Sequence, residues 1–139
     1  MTATVEIAQR QRGEEPPPQD ARHVGAARHL VAAWLGYLLL SGMKDPVMLI
    51  VSELVTNAIV HGRGSQVTLT MQLEDGELYV AVDNDGPGKP ALQHADDDAE
   101  HGRGLQLVEW CTVEQGGAWG ISDGGSMVWC RLPAKGEGL

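Results

Sequence analysis

Glu53, Asn57 and His61 recur at intervals of four in the stretch SELVTNAIVHG, residues 52–62. On a helix they fall at successive steps of about 40° beside an apolar stripe, so they border a core and do not face open water. A carboxylate in that position can take a proton or orient a water. The amide oxygen one turn later is a ligand for a hard cation such as Mg²⁺. Boundary residues of an ordinary amphipathic helix would have the same pattern, and this helix alone does not separate the two readings.

Two glycine pairs follow. VDNDGPGKP (82–90) comes directly after an alternating strand, and Gly86 and Gly88 let the backbone turn sharply and approach a ligand closely. DGPG is equally an ordinary turn. HGRGLQLVE (101–109) reads as a Gly-x-Gly that opens a helix, where free N–H groups and absent side chains admit an anion. Between the pairs lies an acidic patch, Asp96, Asp97, Asp98 and Glu100, flanked by His94 and His101. A solvated loop tip explains it more cheaply than a metal cluster. Trp110, Trp119 and Trp129 have no interleaved basic residues, so they read as packing residues and not as base-stacking platforms.

The elements that must position these groups are legible from period and punctuation. TVEIA near the start suggests a short strand, and RQRGEEPPPQD (10–20) is a polar, proline-rich separator. From Ala21, AARHLVAAWLGYLLL has helical character up to the SGM that punctuates it. Asp45 as N-cap and Pro46 at the first helical position open a second helix. Its apolar residues Val47, Ile50, Val51, Leu54, Val55, Ala58 and Ile59 keep the helical period, and Gly62 closes it. QVTLTMQL and ELYVAVDN alternate around Asp75-Gly76, which predicts a β-hairpin. LQLVEWCTV is a third helix, and GAWGI and SMVWCRL are strands joined at DGG. The order (β)ααββ–loop–αββ predicts an α+β, two-layer sandwich, with helices on one face of a mostly antiparallel sheet.

A chain of 139 residues with 42% hydrophobic and 21% charged residues suits one soluble globular domain. With 10 Lys+Arg against 19 Asp+Glu, the net charge of −9 argues against non-specific nucleic-acid binding but not against a nucleotide site. Cys111 and Cys130 show no metal spacing and read as reduced, buried thiols. The start lacks a signal-peptide pattern, and the longest uncharged run, residues 30–43, falls short of the roughly 20 that span a bilayer. A cytoplasmic protein without membrane contact is the expectation.

Taken in order, the Glu-x-x-x-Asn helix, the hairpin, DGPG, the acidic loop, GRGL and the GGS turn resemble the GHKL superfamily of ATPases, whose hallmark is the Bergerat ATP-binding fold. The resemblance covers residues 21–133, with 1–20 as an N-terminal strand and proline-rich segment and 134–139 as a tail. SELVTNAIVHG, AARHLVAAWL and AWGISDGGSMVWCRLP are most similar to the bacterial anti-sigma factor serine/threonine kinases. That resemblance implies ATP and Mg²⁺ as cofactors. It makes Glu53 the general base and Asn57 the metal ligand, and His61 ends the same box. Gly86 and Gly88 would form the first glycine box, with Asn84 toward adenine. Gly102, Gly104 and Leu105 would form the phosphate-cradling second box, with Arg103 touching phosphate. Ser126 would be the small hydroxyl near the adenine. The implied partners are a sigma factor and an anti-sigma-factor antagonist, the latter phosphorylated on a serine. Members often dimerise, so a second copy is a further expected partner. One departure stands out: Asn84 replaces the family's adenine-binding Asp and can accept a hydrogen bond only without charge assistance. A weakened or inactive nucleotide-binding regulatory module is therefore the alternative. A histidine kinase fragment fits less well, because His29 lacks the usual acidic neighbour and no long dimerisation hairpin precedes the Glu53 helix.

Overall fold

The computed structural model describes residues 1–7, 18–61, 64–86 and 99–135, the side chains of 18–21, 99–104 and 123 excepted. Gly62, Gly88 and the acidic stretch 94–98 named above lie outside them. Five strands form one sheet: β1 (Thr2–Glu6), β2 (Gln66–Glu74), β3 (Glu77–Asn84), β4 (Ala118–Ser122) and β5 (Met127–Pro133). Their spatial order is β1-β2-β3-β5-β4, and every neighbouring pair is antiparallel. Three helices, α1 (Pro18–Tyr37), α2 (Lys44–His61) and α3 (Ala99–Glu114), cover one face.

Strand alternation decides which side chains meet those helices. Val67, Leu69 and Met71 of β2 bury on the same side as Leu78, Val80 and Val82 of the central β3 and as Val128, Cys130 and Leu132 of β5. Against them lie Val31 and Leu35 of α1, the whole apolar stripe of α2, and Leu105 and Val108 of α3. Both cysteines are buried and free, as expected. Burial pushes the Cys130 thiol up to about 12, which keeps it protonated and inert. The Asp75-Gly76 turn has positive φ at both residues, 52° and 76°, the type I′ geometry that matches strand twist. Among the described residues no helix is long and apolar enough to cross a membrane.

Several helix boundaries differ from the sequence expectation. Helix α1 starts at Pro18, inside the segment read as a separator, because a first-turn proline lacks only an N–H that would have no partner anyway. A one-turn 3₁₀ helix, Ser41–Met43, runs straight into α2, so Asp45 sits in the first turn and is not the cap. There its charge still suits the positive end of the helix.

The end of α1 is set by Leu39 and not by the later glycine. Leu40 N–H donates to Leu35 O at 2.8 Å and Leu39 N–H to Gly36 O at 3.1 Å, with Leu39 at φ 60°. The end of α3 repeats this pattern with Gly116 at φ 76°, where Gly117 donates to Thr112 O and Gly116 to Val113 O, both at 2.9 Å. Both are Schellman closures, one with the usual glycine and one with a leucine that pays the left-handed steric cost. Leu39 is 62% exposed and returns little by packing. Leu39→Gly is therefore expected to raise stability by about 1 kcal/mol, measured by chemical denaturation. An unchanged or lowered midpoint would show that the leucine offsets its own strain.

Candidate functional site

Connection lengths gather the candidate residues at one end of the sheet. Only residues 62–65 join the end of α2, at His61, to the start of β2, at Gln66, and β2 begins beside Asn84, the last residue of β3. On the other flank Ser122 pairs with Met127, so β5 begins at the same end as well. Helix α3 connects through residues 115–117 to Ala118, which pairs with Arg131 at the opposite end. A helix of 16 residues is about 24 Å long, so its N-terminal turns return to the Asn84 end. The C-terminal half of α2, the end of β3, the start of β5 and the start of α3 thus converge.

Along α2, Glu53, Asn57 and His61 are all half-buried, as border residues should be. Partial burial raises the Glu53 carboxyl above its ordinary value, because the charged form loses solvent. A raised carboxyl is a stronger base when ionised, and this one stands on a rigid helix packed against α1, α3, β2 and β3. Among the described residues no group of three metal-ligating side chains is assembled. The Asn57 carboxamide is nonetheless a hard oxygen donor, the type that Mg²⁺ takes together with phosphate oxygens and water.

Asn84 and Ser126 meet directly, in a way the sequence did not indicate. The Ser126 carbonyl accepts from the Asn84 backbone N–H at 3.1 Å and from Asn84 Nδ2 at 3.2 Å. Asn84 Oδ1 in turn accepts from Gly86 N–H at 3.0 Å. The Asn84 carboxamide is thus engaged on both sides by backbone and holds the turn into Gly86. An aspartate could not donate to Ser126 O.

Asp85, the residue between Asn84 and Gly86, gathers three hydrogen bonds on its carboxylate. Its Oδ1 accepts from Ser65 N–H at 2.7 Å and Gln66 N–H at 2.8 Å, and its Oδ2 from Ser65 Oγ at 2.9 Å. Gly64 must be glycine here, since a Cβ would collide with the Asp85 carboxylate and with Gly86 N. The carboxylate therefore fastens the α2–β2 connection to the glycine box. No local pattern reveals this, because Ser65 and Asp85 are 20 residues apart.

The structure also places the residues of the Gly-x-Gly-Leu stretch. Gly102 and Gly104 lie within α3, which already begins at Ala99, so they do not precede the helix. Glycine is permissive and does not force a boundary. Leu105 is 4% exposed and packs in the core, so its side chain anchors α3. Trp110 is 61% exposed, whereas Trp119 packs partly against the core.

The chain matches the histidine kinase-like ATPase domain family over residues 17–129. It is 35% identical over 80 residues to the anti-sigma F factor of Geobacillus kaustophilus, covering 50% of this chain and 51% of the relative. To the anti-sigma F factor of Clostridium acetobutylicum it is 43% identical over 54 residues, 37% of this chain and 38% of the relative. The chain thus spans about half or less of the length of these curated relatives. Among solved structures, a blue-light activated histidine kinase of Erythrobacter litoralis superposes with a TM-score of 0.54 at 27% identity, over 68% of this chain and 31% of that one. The histidine kinase domain of the same protein covers 92% of this chain and 66% of its own at 18% identity, with a TM-score of 0.53, a likeness of fold.

The hydrogen bonds to Asp85 give a pH signature. The Gln66 and Ser65 backbone amides and the Ser65 hydroxyl hold its carboxyl below the ordinary value, Gln66 contributing most. A depressed folded-state pKa stabilises above the unfolded value and loses that contribution as pH falls through the folded value. Asp85→Asn should therefore flatten the most acidic limb of the stability–pH curve, followed by thermal unfolding between pH 2 and pH 6. An unaltered limb would mean that the bonds to Asp85 contribute nothing in solution.

Proposed function

This chain belongs to the histidine kinase-like ATPase domain family, and we propose that it is an anti-sigma-factor-type regulator that phosphorylates a serine or threonine of an anti-sigma-factor antagonist with ATP. The observation that carries the reading is the convergence, at one end of the sheet, of a basic carboxylate, a hard carboxamide donor and a helix N-terminus. The relatives described as anti-sigma F factors support the regulatory class.

In this reading the triphosphate lies at the sheet end that gathers α2, β3, β5 and the start of α3. The positive end of α3 would favour its negative charge, and the N–H groups of the first turn would donate to phosphate oxygens. Asn57, half-buried on the same helix face as Glu53, would hold Mg²⁺. The metal, when bound, neutralises phosphate charge. Glu53 accepts the proton of the substrate hydroxyl as its oxygen bonds to the γ-phosphorus and the bond to the β-bridging oxygen breaks, releasing ADP. Positioning and charge neutralisation supply most of the rate in such transfers. Asn84 keeps the glycine box and the start of β5 in register while the base sits nearby. A sigma factor and the unphosphorylated antagonist would then compete for the protein, and phosphorylation would release the antagonist. A homodimer is compatible with this scheme.

One observation favours a second reading. With its carboxamide spent on Ser126 and Gly86, Asn84 offers adenine little beyond a remaining lone pair. A regulatory module that holds nucleotide weakly and grips its partner without transferring phosphate would need no more. Titration with ATP in the presence and absence of Mg²⁺ separates the readings, and binding far weaker than millimolar retires the kinase.

For the kinase, label transfer from ATP to the antagonist should fall by about 10²–10⁴-fold in Glu53→Gln. Undiminished labelling would show that Glu53 is not the base. The acid limb of the wild-type rate profile should lie above the ordinary glutamate value of 4.5, because Glu53 must be ionised to accept a proton and burial raises its pKa. A limb at or below that value would separate the rate from Glu53.

A further inference from the structure

The sheet face that the helices leave uncovered carries a groove of about 360 Å³, which runs from Ser122 and Met127 to the Asp75-Gly76 hairpin. Its floor is Tyr79, Met127 and Trp129, and its rim at the hairpin end is Glu74, Asp75 and Glu77. The floor is built. Gly120 of the edge strand stands opposite Trp129, and a Cβ there would lie 2.7 Å from the indole, so only glycine lets the ring lie flat across β4. The ring face accepts a guanidinium, since Arg131 lies over it at 5.0 Å from the centroid. That is cation–π geometry.

The rim is built against stability. Glu74 and Glu77 are directly opposite in the β2–β3 ladder, with Asp75 in the turn between them. Like charges at such a pair repel, and exposed edges of hairpins ordinarily carry opposite or neutral pairs there. A guest cation would relieve the repulsion, and an aromatic floor beside a carboxylate rim is complementary to a basic side chain with an apolar stem.

The geometry points to a binding site for an arginine- or lysine-rich segment of a partner protein, laid along the open sheet face with a basic side chain on Tyr79 and Trp129 and its charge toward Glu74 and Glu77. Arg131 is then the chain's own competitor for the aromatic surface. It repels the guest, and its removal tightens binding. The site lies on the sheet face opposite the helices and does not depend on the kinase reading.

The test is a titration of the nucleotide-free protein with a capped tetra-arginine peptide, followed by amide and indole resonances, with tetraglutamate as the opposite-charge comparison. Saturable shifts should concentrate at Gln72, Tyr79, Arg131 and the Trp129 indole. Glu74→Gln with Glu77→Gln should weaken binding roughly five-fold or more; these exposed hairpin changes remove a repulsion, so the fold is kept. Glu109→Gln, an exposed carboxylate on α3, should leave the affinity unchanged, and Arg131→Ala should raise it. Shifts scattered over the acidic surface, or full affinity in the double variant, would overturn the proposal. So would weaker binding in Arg131→Ala or capture of tetraglutamate, either of which would mark an anion site. If dilution of the protein alone moves the same resonances, the face is a contact between copies of this chain and the proposal fails.

Discussion

One carboxylate fastens two loops at the end of the sheet where the candidate residues gather. Asp85 takes three hydrogen bonds from Ser65 and Gln66, so the link leaving α2 is fastened to the turn leaving β3. Those two segments adjoin Glu53 and Asn57 of α2 on one side and follow Asn84 of β3 on the other. Without the fastening, Glu53 and Asn57 would still lie on a well-packed helix, and Gly86 would still follow a central strand. Their relative position would then depend only on packing, which fixes elements better than it fixes the loops between them. The tight approach at Gly64 is the steric counterpart of the same contact.

The remaining polar groups at this end divide their work. Asn84 is bound to backbone on both sides, so it behaves as a strut between β5 and the glycine box. A carboxamide can do this because it donates and accepts at once, and a carboxylate cannot. Asn84 thereby adds rigidity to the frame at this end of the sheet. Glu53 is the complementary case. Its site gives up solvent, and its proton affinity rises.

The helix periods, the hairpin at Asp75-Gly76 and the closing strands were legible because each is a local pattern that the chain repeats within a few residues. Glu53, Asn57 and His61 were legible as border residues for the same reason. The ends of helices were less so. Leu39 closes α1 in a conformation that favours glycine, and the real glycine three residues later does nothing of the kind, because the buried Leu40 beyond it rewards that closure. Gly102 and Gly104 looked like a helix start, yet the helix absorbs them, since two glycines cost less than breaking a run that buries Leu105 and Val108.

By itself the sequence determined the element types, the apolar faces, the α+β class and the order of boxes that places the chain in its family. These depend on period and spacing, which are properties of neighbours along the chain. Only the tertiary structure decided that Asp85 pins Ser65, that the Asn84 carboxamide is spent on backbone, that Trp129 lies flat on Gly120 and that Glu74 faces Glu77 on an uncovered sheet. Each of these is a contact between segments on different strands or loops. Its geometry depends on register and on which face of the sheet the helices cover, and no local window of residues contains either.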